Sequence, residues 1–84
     1  MQRLERQTLT LVSPELVVDG VRIERFRVEF SWVEVARFQT TYTAIWSVED
    51  QDGGWIQTAE ILHDEYGFRK EVETIKADWG MVEA

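Results

Sequence analysis

The stretch that decides the fold is residues 26–48, FRVEFSWVEVARFQTTYTAIWSV, where apolar side chains recur at even-numbered positions. A period of two residues is typical of a β-strand that buries one of its two faces. The stretch therefore predicts two strands with a shared buried face. The even-numbered apolar residues are Phe26, Val28, Phe30, Trp32, Phe38, Tyr42, Ala44, Trp46 and Val48.

Residues 31–38 within this stretch admit two interpretations. Ser31 and Glu34 have the spacing of a capping box, which would begin a short helical turn. Val33 and Val35 instead favour an extended strand, because β-branched side chains fit a pleated surface well. We expect a strand here.

Two further strand signals precede this stretch. Leu9 and Leu11 alternate with threonines, and Pro14 interrupts the run because proline cannot donate a hydrogen bond to a neighbouring strand. Asp19 and Gly20 lie between valines and predict a hairpin with a type I′ turn, which requires positive φ at both central residues.

The parity of the apolar side chains changes between Ile23 and Phe26. Val21 and Ile23 occupy odd-numbered positions, whereas the residues from Phe26 onward occupy even ones. The extra residue at Glu24 and Arg25 predicts a β-bulge that redirects one continuous strand.

The last quarter of the chain changes to a helical period. Phe68, Val72, Ile75 and Trp79 are spaced as one stripe of an amphipathic helix, and Gly80 follows where a left-handed residue often ends a helix. Gly67 is expected to mark the N-terminal end of this helix. Met81 and Val82 are expected to fold back as apolar contacts.

The segment between the strands and the helix remains open to alternatives. Residues 51–54, QDGG, predict a turn into a strand that begins at Trp55. Residues 59–66 form either the approach to the C-terminal helix or a separate short helix capped by Thr58.

Together these signals predict an α+β fold in one compact domain over residues 1–84. An antiparallel sheet of about four strands would carry the C-terminal amphipathic helix on one face. The other face would be exposed to water or to a partner. Its expected residues are Arg25, Arg27, Glu29, Gln39, Thr41 and Thr43.

Composition narrows the chemistry of the chain. The absence of cysteine removes disulfides, thiolate catalysis and cysteine-ligated metals. The first ten residues carry charges where a signal peptide needs an apolar run, and no apolar run approaches membrane-spanning length, so we expect a cytoplasmic location. The sequence has no phosphate-binding glycine loop.

The sequence gives little support for a catalytic site or a metal site. His63 is the single histidine, and its flanking acids predict an exposed or rim position. Residues 49–54 resemble the start of a calcium loop, but counting from Asp50 places Ile61 where a bidentate glutamate belongs. We therefore expect no enzyme activity, no cofactor and no metal.

Three arginines raise the question of a nucleic-acid contact. Arg22, Arg25 and Arg27 interleave with aromatic residues, but strand alternation places the two kinds of side chain on opposite faces. Pairing with nearby glutamates such as Glu24 and Glu29 across the sheet surface is the simpler expectation.

The distribution of charge carries the remaining functional signal. Residues 1–37 hold six positive and six negative side chains, whereas residues 38–84 hold three and ten and so account for the net charge of −7. Such a field repels nucleic acid and membrane surfaces and favours a basic protein partner.

The resulting hypothesis is a non-enzymatic inhibitor that occludes a basic surface on a nucleic-acid-handling complex, such as a restriction or CRISPR effector. In composition alone, the chain resembles the small inhibitor proteins that phages use against host nucleases. The alternative is an assembly subunit that self-associates through its sheet. The residues expected to bind the basic partner are Glu49, Asp50, Asp52, Glu60, Asp64 and Glu65.

Overall fold

A computed structural model describes residues 6–37 and 39–84 of the chain, and it confirms the α+β class and the C-terminal helix. The position of Phe38 and that of residues 1–5 lie outside the described residues. The elements are β1 (Gln7–Val12), β2 (Leu16–Val18), β3 (Val21–Ile23), β4 (Phe26–Ala36), β5 (Gln39–Glu49), β6 (Trp55–His63), α1 (Glu65–Asp78) and β7 (Val82–Glu83).

The prediction of about four strands was too low. The described residues form a five-stranded antiparallel sheet in the order β6-β5-β4-β1-β7, and β2 and β3 form a separate two-stranded sheet. Strand β7 has only two residues, and it pairs with β1 only because the helix returns the chain to that edge. A strand of two residues is too short to show an alternating pattern, so the sequence could not predict it.

The long strands β4 and β5 form the centre of the large sheet and confirm the prediction from residues 26–48. Val28 lies opposite Trp46 and Phe30 opposite Ala44, so the even-numbered side chains share one face. Strand β4 continues to Ala36, which settles residues 31–36 as strand rather than helical turn.

The core lies between this face and α1. The fully buried apolar residues come from three strands, the helix and the segment after it, and partly buried aromatic residues surround them. Burying one such side chain stabilises the fold by about 1.5–3 kcal/mol relative to leaving it exposed. The buried residues are Leu11, Val28, Phe30, Ala44, Ile75 and Met81.

The opposite face of the large sheet carries no helix and matches the predicted composition. Arg27 pairs in register with Ser47 and Ser31 with Thr43, so odd-numbered residues of β4 and β5 point away from α1. Arg27, Glu29, Thr41 and Thr43 therefore lie on the open face, as expected.

Helix α1 begins earlier than the sequence indicated. Asp64 is the N-cap, and its Oδ1 accepts a hydrogen bond of 2.6 Å from the backbone N–H of Gly67. Gly67 is thus the third helical residue, and the prediction that it marks the helix end was wrong. The side chain of Asp64 satisfies a free N–H of the first turn, which outweighs the low helix propensity of glycine.

The C-terminal end of the helix follows the prediction more closely. Trp79 is the C-cap, and Gly80 adopts φ of 64°, the left-handed conformation expected there. Met81 then folds back into the core, and its N–H donates to the carbonyl of Ile75 at 3.2 Å. Val82 does not fold back with it but pairs with Val12 in the sheet.

Residues 59–63 are strand, so the alternative of a separate short helix was wrong. Strand β6 pairs with β5 as far as His63, which lies opposite Tyr42. Thr58 does not cap a helix; it lies at a register shift beside Trp46, whose carbonyl accepts a bond of 3.3 Å from its hydroxyl.

The β2–β3 hairpin confirms the Asp-Gly turn, with φ of 52° at Asp19 and 78° at Gly20. The predicted bulge at Glu24 and Arg25 was wrong, because these residues connect two different sheets. The change of parity reflects the end of β3 and the start of β4.

Replacement of Asp64 by alanine is expected to lower the free energy of unfolding by about 1 kcal/mol, because the first turn of α1 loses its cap. Chemical denaturation followed by tryptophan fluorescence measures this loss. Glu73, which is exposed in the middle of the same helix, provides the control. Equal losses for Asp64→Ala and Glu73→Ala would contradict the capping role.

Candidate functional site

The six acids predicted to bind a partner fall into separated groups. Glu49, Asp50 and Asp52 lie at the turn before β6, whereas Asp64 and Glu65 follow its last residue. The nine residues of β6, at roughly 3.3 Å each, separate these groups by about 30 Å. Glu60 lies between them, so the structure does not gather the six carboxylates into one patch.

The carboxylate of Glu49 is already paired with arginines of the same chain. Its side chain is only 9% exposed, and its two carboxylate oxygens contact Arg22 at 2.5 Å and Arg25 at 3.4 Å. Both arginines belong to the part of the chain around the β2–β3 hairpin. Glu49 therefore joins that hairpin to the end of β5 and is largely inaccessible to a partner.

Asp50 is also used locally. Its Oδ1 accepts hydrogen bonds from the backbone N–H groups of Asp52 at 2.9 Å and Gly54 at 2.8 Å. These bonds hold the turn between β5 and β6, the usual role of an aspartate that bonds to the backbone two residues onward.

The two acids after β6 also have structural contacts. Asp64 caps α1, and Glu65 forms an exposed ion pair of 3.0 Å with Arg69 one turn later. An exposed pair of this spacing contributes only a few tenths of a kcal/mol. Asp52 and Glu60 form no ion pair with the described residues. Of the six predicted acids, these two carboxylates are therefore the ones whose charge is not used in a contact within the described chain.

A cluster of arginine and tryptophan was missed by sequence reasoning. The guanidinium of Arg27 lies over the ring of Trp55, 4.8 Å from its centroid, and that of Arg25 lies at 5.8 Å. Trp55 comes from β6, and only the pairing of β6 with β5 places it beside arginines nearly thirty residues earlier. The predicted pairing of arginines with glutamates does occur, but with Glu15 and Glu49.

The cavity beside these residues is too small for a typical substrate. It is open, has a volume of about 150 Å³, and lies between the base of the hairpin and the turn after β5. Pockets for small molecules usually span several hundred Å³. Its lining residues are Arg22, Ile23, Glu24, Glu49, Asp50 and Gln51.

His63 lies on the helix side of the sheet rather than at an exposed rim. It is half-buried, its ring centroid is 6.5 Å from that of Phe30, and its Nε2 is buried with no hydrogen-bond partner among the described residues. The pairing of β6 with β5 turns the side chain inward despite its acidic neighbours. No nucleophile is hydrogen-bonded to it within the described chain.

Two other kinds of site receive no support from the described residues. Residues 6–37 and 39–84 contain no group of three or more acidic or histidine side chains placed to hold a metal ion. No helix in that part of the chain has the length and apolar character needed to cross a membrane.

The outer edge of β6 is the first exposed surface that requires explanation. β6 ends the sheet and has no partner on its outer side within the described residues. Its sequence, WIQTAEILH, contains no proline, lysine or arginine, so Glu60 and the register shift at Thr58 are the features of this strand that would limit pairing at its edge. Ile56, Ile61 and Leu62 are exposed along it, Leu62 by 72%.

The β2–β3 hairpin presents the second exposed surface. Leu16 lies opposite Ile23 and Val18 opposite Val21, so these four side chains occupy one face of the hairpin. Each is between 42% and 62% exposed. A two-stranded sheet with a bare apolar face is marginally stable in water by itself.

The surface of the whole chain is large for its mass. It exposes 6542 Å², whereas a folded monomer of 9.9 kDa typically exposes about 5,200 Å². The radius of gyration is 15.0 Å, against about 12 Å expected for this length. Both differences agree with an elongated shape, whose principal-axis extents are 54 × 26 × 19 Å.

Comparisons with known proteins found no match to this chain among family models, curated proteins or solved structures.

Proposed function

We propose that this chain is a non-enzymatic assembly subunit that self-associates through the edge of its large sheet. The observation that carries the proposal is the outer edge of β6, nine residues long and without a partner in the described chain. Its unpaired backbone groups can hydrogen-bond to a strand from another copy, which extends the sheet across the contact.

The charge of β6 supports pairing between copies. The protein carries −7 overall, but Glu60 is the only acid in β6. Two copies that approach along this edge therefore meet where like charges are sparse. The exposed Ile56, Ile61 and Leu62 would add apolar contacts on both faces of the extended sheet.

Self-association through β6 predicts a specific response to salt. Sedimentation velocity over a range of concentrations is expected to show a reversible oligomer. Its population should rise between low and moderate salt, because screening weakens the repulsion between two acidic copies. A strict monomer at every concentration and salt level would contradict the proposed function.

A double substitution tests the edge directly. Gln57→Lys with Leu62→Lys places cations at two exposed positions of β6 and is expected to weaken association at least tenfold, which corresponds to about 1.4 kcal/mol. The matched control is Thr8→Lys with Val35→Lys, which changes the charge equally at exposed positions on β1 and β4, neither of which pairs with β6. If both double variants weaken association equally, the added positive charge explains the loss and the β6 edge does not.

The acidic inhibitor is the second candidate, favoured by the net charge of residues 38–84 and by the uncommitted carboxylates of Asp52 and Glu60. Its partner would be the basic, nucleic-acid-binding surface of another protein, and salt would weaken that binding rather than strengthen it. Competition with DNA for a cationic DNA-binding protein measures it.

The substitutions for this second test follow from the geometry. Asp52→Lys with Glu60→Lys should abolish the competition, whereas Asp50 and Asp64 are left intact because they hold a turn and a helix cap. Unchanged competition by the double variant would remove the inhibitor hypothesis.

A further inference from the structure

The two outer edges of the large sheet are built differently. The strand order places β6 at one edge and β7 at the other. Strand β6 presents nine residues, whereas β7 consists only of Val82 and Glu83. A very short edge strand that carries a charged side chain is one of the devices by which proteins keep an edge from pairing with another chain.

Strand β1 would be the edge of the sheet if β7 were absent. Its sequence, QTLTLV, contains no charged residue and no proline, and it pairs with β4 over its whole length without a register shift. Regular, uncharged strands of this kind pair readily with strands of other chains. By the same criteria β1 is a better template than β6, which carries Glu60 and a register shift at Thr58.

Strand β7 covers the second half of β1. The N–H of Ala84 extends the pairing and donates to the carbonyl of Thr10 at 3.0 Å. Residues 7–9 lie outside the pairing with β7, and the exposed Arg6 precedes them. Three residues are fewer than the five or six of a typical strand. The pairs in register are Val82 with Val12 and Glu83 with Leu11.

The end of helix α1 fixes the position of β7. Gly80 ends the helix with φ of 64°, and Met81 is then only 2% exposed, with its N–H donated to the carbonyl of Ile75. Met81 therefore anchors the chain in the core immediately before β7. Val82 is 56% exposed and lies outside the core. Substitutions in residues 82–84 can therefore break the strand pairing and leave the apolar anchor in place.

We propose that β7 is an edge cover, which closes β1 and leaves β6 as the edge through which the sheet pairs with other copies. The effect on assembly size rests on the proposed function. When two β6 edges pair about a two-fold axis, neither copy keeps an open edge, so assembly ends at a dimer. With β1 uncovered, β6 of one copy can pair with β1 of the next, and this head-to-tail contact continues into an open chain.

Proline substitutions in the edge cover test the proposal. Val82→Pro with Ala84→Pro removes backbone donors, including the N–H that binds Thr10, because proline has none. Sedimentation velocity is expected to show species larger than the dimer, with an average mass that rises with concentration to roughly twice that of the wild type or more. The matched control, Val82→Ala with Ala84→Gly, keeps both N–H groups and should retain the wild-type size.

A second set of substitutions separates pairing through β1 from aggregation of a misfolded chain. Thr8→Lys with Thr10→Lys, added to the proline pair, places two cations on β1 and is expected to return the assembly to the wild-type size. Val35→Lys with Ala36→Lys adds the same charge on β4, which is not an edge, and should not do so. Equal effects of the two lysine pairs on the proline variant would overturn the role of β1.

A disulfide lock tests the covered state directly, because the chain has no cysteine of its own. Val12 and Val82 lie opposite each other in register, and opposed Cα atoms of antiparallel strands are close enough for a disulfide. Oxidised Val12→Cys with Val82→Cys holds β7 on β1 and is expected to assemble as the wild type does. If the lock abolishes assembly, the wild type pairs through β1 and the edge cover is overturned.

The outcomes distinguish failure of the edge cover from failure of the proposed function. If the proline pair leaves the assembly size unchanged while Gln57→Lys with Leu62→Lys gives a monomer, the edge cover is overturned and self-association through β6 stands. If the wild type is monomeric at every concentration but the proline pair associates, the proposed function falls and the edge cover stands. A monomer in both cases overturns both.

Discussion

Replacement of Phe30 by alanine is expected to lower the free energy of unfolding by about 3–5 kcal/mol. Phe30 is fully buried at the centre of β4 and packs edge-on against Phe68 of α1, with ring centroids 5.2 Å apart. Its removal leaves a cavity between the sheet and the helix that neither element can close. Small domains are often stable by only about 5–15 kcal/mol.

Urea denaturation followed by circular dichroism measures this change. Val35→Ala is the matched control, because Val35 lies on the same strand but is 49% exposed. It is expected to change the free energy of unfolding by far less than Phe30→Ala. If Phe30→Ala lowers the free energy of unfolding no more than Val35→Ala does, Phe30 does not belong to the core.

Replacement of Glu49 by alanine is expected to cost about 1.5–3 kcal/mol, the range for hydrogen bonds to charged groups. The Glu49 carboxylate contacts Arg22 and Arg25 and is almost enclosed by the protein. Its loss leaves the half-buried guanidinium of Arg25 without this partner and frees the hairpin from β5. The hairpin amides should then exchange hydrogen faster than those of β4 and β5.

Glu60→Ala provides the control for Glu49, because Glu60 is exposed and forms no ion pair with the described residues. It is expected to leave stability nearly unchanged. A double-mutant cycle between Glu49→Ala and Arg25→Ala measures their coupling. Zero coupling, with normal stability of both single variants, would show that the ion pair does not hold the hairpin.

The elements that sequence analysis predicted well are those in which neighbouring residues carry the signal. Alternation over residues 26–48 predicted the shared face on which Val28, Phe30 and Ala44 are buried. The Asp19-Gly20 turn and the left-handed Gly80 follow from the conformational preferences of those residues themselves.

The errors arise where a distant contact decided the conformation. Residues 59–63 are strand because β5 offers a hydrogen-bonding edge, and the same contact places His63 on the helix side of the sheet. Residues Glu24 and Arg25 connect two sheets because the hairpin does not join the large one. Nothing within a few residues of these positions signals those outcomes.

The candidate site shows the same division between local and distant causes. Six acids lie within seventeen residues of sequence, but an extended strand places the ends of that segment far apart. Glu49, Asp50 and Asp64 then take up local roles with Arg22, with the β5–β6 turn and with α1. Proximity in sequence could not reveal these partners.

The sequence by itself determined the α+β class, the buried face of the long strands, the helix stripe and the hairpin turn, because side-chain period and backbone preference are local properties. Tertiary structure alone decided which strand lies at the sheet edge, which carboxylates remain uncommitted and which hairpin face is left bare. Those features depend on contacts between residues far apart in the chain, and burial and charge pairing are properties of the folded arrangement.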